Sequence, residues 1–245
     1  MRRFYSTVST RQENGGFTIL IDGKAVRTTS GNALLAPNQA IANEVMQEWS
    51  SQTAEINLET MPFTQILNTK IDRIRRGRKA VTVALLKYID TDLLCYHAPD
   101  PEELVKLQND RWQPFRKWFA QTFGHDLSTT DGLLAIAQSA GLQKDIRAYV
   151  ESLDDDAFTI LQWVTALGGS LVMALAFIAG AYGPPQVMGA RFVEEDYKNM
   201  LTRAEVTGED PVIEKIRAQT EQDLHAAKKY LDLIKSGLGF SEIQL

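Results

Sequence analysis

Asp92, Cys95 and His97 put a carboxylate, a thiol and an imidazole close together in one stretch of chain. A Cys–His pair does nucleophilic chemistry when a nearby base holds the sulfur as thiolate. The local context argues against it here, because Leu93-Leu94 precede the cysteine and apolar surroundings make a thiol inert. A small-molecule enzyme with a site around Asp92, Cys95 and His97 is therefore the alternative reading of this chain. Its three histidines, His97, His125 and His225, lie far apart, and no metal-site spacing of His, Cys or carboxylate repeats. No G-x-G-x-x-G, G-x-x-x-x-G-K-[ST] or G-x-S-x-G motif occurs. No cofactor, metal or catalytic residue is expected.

The strongest basic feature is Arg73-Ile74-Arg75-Arg76-Gly77-Arg78-Lys79, five cations in seven residues. Several phosphate contacts could come from such a run, but no aromatic is interleaved for base stacking. The chain as a whole carries 26 basic against 31 acidic residues, net −5, so nucleic acid is not an expected partner. The charge is uneven: residues 1–120 hold 16 Lys/Arg and 13 Asp/Glu, residues 121–245 hold 10 and 18. A net-negative half suits contact with a basic patch on another protein. The single cysteine excludes an internal disulfide framework and suits a reducing compartment.

From Ala157 to Ala190 no residue bears a formal charge, a length sufficient to span a bilayer on the ~20-residue criterion. Gln162, Thr165 and Gly168-Gly169-Ser170 interrupt the run, and Asp154-Asp155-Asp156 and Pro184-Pro185 flank it without a lysine cluster or aromatic belt. Two buried helices explain it better than a membrane span, with the aspartates at the dipole-positive end of the first. No stable membrane insertion is expected.

The elements that must position these residues read as strands first and helices afterwards. Phe17–Ile21 and Lys24–Thr28 flank Asp22-Gly23, a type I′ hairpin signal, and Ala33-Leu34-Leu35 could add a third strand. Pro37-Asn38 opens a helix with Ile41, Val45 and Trp49 on one face. Beyond Met61-Pro62 the pattern is helical. Trp112, Phe115, Trp118 or Phe119 and Phe123 form an aromatic stripe on a helix beginning near Pro101, and Pro114 is expected to kink or break it. The last helix starts at Asp210-Pro211 and places Ile213, Ile216, Thr220, Leu224, Ala227, Leu231 and Ile234 on one side. The expected fold is α+β: a β-rich N-terminal domain over residues 1–60, ending in a helix, then a larger helical bundle domain over 61–245.

These motifs, in order, resemble a known family. Arg3-Phe4-Tyr5 with Val8, the Asp22–Thr28 hairpin, Met61-Pro62-Phe63-Thr64 with Asn68-Thr69 and Ile71-Asp72-Arg73 come first. Thr91–Tyr96, Gln108 with Trp112, Pro114 and Trp118, Leu167–Leu171 and Glu194-Glu195-Asp196-Tyr197 follow. The chain resembles the ATP-twelve family, assembly chaperones for the alpha subunit of the catalytic head of F-type ATP synthase. The resemblance implies a non-enzymatic chaperone that shields the beta-facing interface of an unassembled alpha subunit. It implies partner-facing roles for Glu194, Glu195 and Tyr197, and a setting in a bacterial cytoplasm or, alternatively, the mitochondrial matrix. Lys198 stands where the family usually has glutamine, and Thr202-Arg203 where it has Trp-Gly.

Overall fold

The computed structural model of the chain describes residues 1–237, apart from 133 and 135. Its fold is α+β, a small antiparallel sheet followed by a long helical region. Strands β1 (Val8–Glu13) and β2 (Gly16–Ile21) pair in register from Val8↔Ile21 to Glu13↔Gly16. β2 also pairs with β3 (Lys24–Ala25) and β4 (Leu35–Ala36). Asp22 (φ 46°) and Gly23 (φ 77°) both have the positive φ of the expected I′ turn. The Asp22 carboxylate accepts hydrogen bonds from the Ser6 and Thr7 amides, which hold its pKa down. The longest pairing, however, is β1 with β2 across Asn14-Gly15, and β3 has only two residues. The Asn-Gly dipeptide carried that signal. Gly16 is obligatory for a second reason: a Cβ there would lie 2.2 Å from the Ala36 carbonyl oxygen.

Residue contacts group the chain into two units. The first comprises Met1–Arg78, Asp155–Thr159 and the chain from Ala226; the second comprises Lys79–Asp154 and Ile160–His225. Division into domains at residue 60 remains a proposal about folding, separate from this contact grouping.

In the first unit, helix α1 (Gln39–Ser51) buries Ile41, Ala42, Val45 and Trp49. These pack on the sheet, where Ile19, Leu34 and Ala36 are fully buried. Asn38 caps α1 through its side-chain oxygen, which accepts from the Ile41 amide at 2.9 Å. Helix α2 (Pro62–Asn68) begins with proline and is capped from a distance. The Glu48 carboxylate accepts from the Phe63 and Thr64 amides at 2.6 and 2.8 Å and from the Thr64 hydroxyl at 2.7 Å. A π-helical segment, Thr69–Ile74, follows and leads into α3 (Arg75–Lys87), whose Gly77 is non-helical at φ −131°. Asp72 in the π segment takes hydrogen bonds from Thr28, Ser30 and Asn32 and so anchors the loop between β3 and β4.

The basic run occupies the π segment and the first turn of α3. Arg78 pairs with Asp155 at 2.8 Å, and Arg76 donates to the Asn32 side chain. Asp155, in the first turn of α6 (Asp155–Gly168), thus serves ion pairs with two of these cations, Arg75 and Arg78.

In the second unit, α4 (Glu102–Phe123) packs on α5 (Ala140–Ser152), α7 (Leu171–Ile178), α8 (Pro184–Arg191) and α9 (Val193–Thr202). Trp112, Phe115 and Phe119 form its buried stripe, while Trp118 is half-buried. Pro114 neither breaks nor ends α4, which continues through it for the full 22 residues. The uncharged run forms α6, α7 and α8, and every residue of α7 is buried. Gly169 (φ 68°) turns the chain between α6 and α7, and Ser170 caps α7 through the Met173 amide. Among the described residues no helix is long and apolar enough to cross a membrane. The short α10 (Ala204–Thr207) precedes α11 (Pro211–Gly237). The expected apolar side of α11 is buried at Thr220, Leu224, Ala227 and Leu231, but Ile216 is exposed and Ile213 only half-buried. Periodicity marks a helix face; it does not say how far along the helix that face is covered.

Candidate functional site

Glu194, Glu195 and Asp196 fill the first turn of α9, where the helix dipole favours negative charge. The structure separates their roles. Asp196 is locked inward: Arg111 donates to one carboxylate oxygen, and Arg217 donates to the other at 2.8 Å. Arg217 also reaches Glu209 at 3.2 Å, and the Asn199 amide donates to that same Glu209 oxygen at 2.7 Å. The Arg217 guanidinium lies 4.5 Å from the centroid of the buried Phe192 ring, a cation–π contact beneath the start of α9. Charge-assisted bonds of this kind fix α9 to α4 and to the first turns of α11.

Glu194 is exposed, and its carboxylate accepts from Gln108 at 3.2 Å. Gln108 is itself fully buried and accepts from the Ala98 amide at 2.8 Å. Glu195 is half-buried, 3.9 Å from Arg191 one turn back. Tyr197 is half-buried and Lys198 exposed. The three residues expected to face a partner thus share one helix, with Glu194 at its surface. Such an arrangement offers charge on a helix that Arg111 and Arg217 hold through Asp196.

The Asp92–Cys95–His97 stretch is assembled differently. Asp92 is fully buried and caps two helical turns, accepting from the Leu94 amide at 3.1 Å and from the Val172 amide at 3.0 Å. Burial lifts its pKa to about 6 against the opposing pull of those bonds. Burial also pushes the Cys95 thiol up to about 12, with the Asp92 charge adding to the shift. The Cys95 sulfur accepts from Gln138 at 3.7 Å, whereas His97 Nε2 faces the Arg116 guanidinium at 2.7 Å. An arginine is a donor only, so His97 accepts there as the neutral ring. Burial, helped by Arg116, keeps its pKa low. Thiol and imidazole serve different partners, and no activated nucleophile results. Among the described residues no group of three or more His, Cys, Asp or Glu could hold a metal ion.

With this geometry established, likeness to known proteins decides the family. The family model described as "ATP12 chaperone protein" matches residues 2–120. Crystalline Atp12 from Paracoccus denitrificans shares 31% sequence identity with a TM-score of 0.80, covering 95% of this chain and 97% of that one. The chain belongs to the ATP12 chaperone family. The Atu1473 protein of Agrobacterium tumefaciens, another solved relative, is 33% identical with a TM-score of 0.83, covering 96% of this chain and 86% of that one. "Protein atp12, mitochondrial" of Schizosaccharomyces pombe is 22% identical over 209 residues, 80% of this chain and 72% of its own.

As an ATP12 family member, the chain has one polar centre that sequence reasoning missed. Single bonds of the Arg111–Asp196–Arg217–Glu209 network join residues up to 85 positions apart, and no local spacing announces it. Gln108 and Trp112 did stand in the family motif. Their role is now visible: Gln108 meets Glu194, and the Trp112 indole donates to the Ala190 carbonyl at 2.9 Å, fixing the end of α8.

Proposed function

We propose that this chain is an assembly chaperone of the F-type ATP synthase catalytic head that binds the unassembled alpha subunit and covers its beta-facing interface. Membership of the ATP12 chaperone family, with structural likeness along 95% of the chain, is the observation that carries the reading. An alpha subunit awaiting its partner exposes apolar interface that would otherwise aggregate. A chaperone that covers it must bind more weakly than the beta subunit does, so that mass action completes the exchange without a nucleotide. Glu194, Glu195 and Tyr197 are the proposed partner-facing residues, answering basic groups on the alpha subunit. The setting is the compartment where the head is assembled, a bacterial cytoplasm or the mitochondrial matrix.

The test is a pull-down by the full chain from separate preparations of the alpha and beta subunits. Retention of alpha alone, in a soluble complex, is expected. Retention of beta, or of neither, defeats the proposal. Charge reversal at Glu194 and Glu195 should weaken the alpha complex and flatten its salt dependence.

A further inference from the structure

The fold divides the cations around the basic run into two sets. The loop between β3 and β4, residues 26–34, and the stretch 69–78 together hold six cations and one carboxylate, Asp72. The first turn of α6 takes three of the six: Asp156 pairs with Lys70, and Asp155 with Arg75 and Arg78. The other three, Arg27, Arg73 and Arg76, are exposed and enter no ion pair among the described residues. All of them belong to the first unit.

This second set is held in place rather than loose. Arg27 donates to the Gly31 carbonyl at 2.8 Å, and Arg76 donates to the Asn32 side-chain oxygen at 2.7 Å. Two guanidinium groups therefore meet adjacent residues of one loop. Asp72 clamps that loop, accepting from the Thr28 hydroxyl at 2.6 Å, the Ser30 amide at 2.9 Å and the Asn32 side chain at 2.7 Å. Arg73 directly follows Asp72 and stands three residues before Arg76 in a continuous run of helix. The acceptors of Arg27 and Arg76 are neutral. Each arginine thus spends one N–H without having its charge cancelled, and its remaining donors face outward for a partner.

Fixed guanidinium forks without carboxylates of their own match carboxylates brought by another chain. Holding the arginines in advance lowers the ordering cost of such a contact. Two features select the kind of anion. No aromatic residue lies in 26–34 or 69–78, so nucleic-acid bases have nothing to stack on. The whole chain is net −5, so an extended anionic surface, whether a bilayer or a long nucleic acid, is repelled by the rest of the molecule. A short acidic segment meets only the arginines.

We propose that Arg27, Arg73 and Arg76 form a docking point for a short acidic segment of the client polypeptide. The proposal deepens, and rests on, the chaperone reading above. Exposed charge pairs give fast, salt-sensitive and modest binding, which suits a client that must be handed on.

The experiment uses the full chain carrying Arg27→Gln, Arg73→Gln and Arg76→Gln together. Lys106→Gln, Lys117→Gln and Lys144→Gln together form the control, removing the same charge from exposed lysines of the second unit. Affinity at low ionic strength is measured for the isolated ATP synthase alpha subunit and for a synthetic peptide of alternating glutamate and serine. Phosphatidylserine vesicles and an oligothymidylate serve as the other anions, and circular dichroism checks folding. The triple variant should lose roughly tenfold in affinity for the alpha subunit and for the acidic peptide, while the control stays within about twofold. The Arg73 side chain makes no hydrogen bond among the described residues, so Arg73→Gln alone reads the surface even if the triple variant fails to fold. It should cost about threefold.

Undiminished binding of the acidic peptide by the triple variant, or by Arg73→Gln if only that variant folds, overturns the proposal. So does equal loss in the control, which would make net charge rather than these arginines the cause. Vesicles or oligothymidylate bound through the three arginines more tightly than the peptide would make the ligand a lipid or a nucleic acid, and also overturn it. If the triple variant loses the peptide but keeps the alpha subunit undiminished, the proposal falls and the chaperone reading stands. If the unaltered chain ignores the alpha subunit but binds the peptide through these arginines, the docking point stands and the choice of client falls.

Discussion

Lys70 and Asp156 form a buried ion pair, Nζ to Oδ1 2.6 Å, although 86 residues separate them in the chain. The Tyr230 hydroxyl donates to the same aspartate oxygen. One carboxylate thus ties together the π segment after α2, the first turn of α6 and the end of α11, all within the first unit. Lys70 is 4% exposed, so its charge is tolerated only because it is paired. Lys70→Met should destabilise the chain by about 3 kcal/mol in urea unfolding, since it strands a partly buried carboxylate. Adding Asp156→Asn should recover more than half of that loss. A double variant no better than the single one would show that the pair is not the source of the stability.

Glu48 supplies a pH-dependent contribution in the same unit. Burial raises its pKa to about 7, with the bonds from Thr64 and Phe63 pulling the other way. In the unfolded chain its pKa is ~4.3, so between these values the folded state binds the extra proton. The Glu48 contribution to stability therefore falls as pH rises from about 4.3 to about 7, and is flat above. Glu48→Gln cannot titrate. The stability difference between Glu48→Gln and the unaltered chain should move in favour of the glutamine form by roughly 1–3 kcal/mol from pH 4.5 to pH 7.5. Denaturant midpoints across that range measure it, and a difference independent of pH would refute the assignment. His97, whose low pKa removes stability as pH falls, is common to both proteins and cancels.

What the sequence shows and what it hides divide along the distance over which each interaction acts. The start of α1 at Pro37-Asn38 and the stripe Ile41, Val45 and Trp49 were legible because both are settled within a few turns. The inert context of Cys95 was legible from Leu93-Leu94. Glu48 capping α2, Lys70 meeting Asp156, and Asp196 held by Arg111 and Arg217 were not, because each joins remote segments whose pairing only the fold decides. The start of α11 misled for a related reason. Ile213 and Ile216 continue the apolar period, yet a period cannot tell a face packed on its own chain from one left in solvent. Glu194 and Glu195 were singled out through family resemblance, and their neighbour Asp196 proves to be the one built into the scaffold.

Cys95 offers a check on the alternative enzymatic reading. With its thiol pKa near 12 and its side chain fully buried, the native protein holds very little thiolate at neutral pH. Iodoacetamide at pH 7.5 should label the native chain on the order of a thousandfold more slowly than the urea-unfolded chain, in which the thiol returns to ~8.5. Labelling of the native chain at the unfolded rate would reopen the case for a nucleophile at Asp92–Cys95–His97.

Among the described residues Asp22 and Arg203 adopt the left-handed backbone conformation, and glycine should affect them in opposite directions. Arg203 has φ 52° at the C-terminal end of α9, where an L side chain is strained and glycine is favoured. Glycine carries no Cβ penalty at that φ, so Arg203→Gly should stabilise the chain by about 0.5–1 kcal/mol, a rise in melting midpoint of about 1–4 °C. Asp22 has φ 46°, but its carboxylate holds the Ser6 and Thr7 amides at 3.1 and 2.8 Å. Asp22→Gly relieves the same strain yet discards those bonds, and should lower the midpoint.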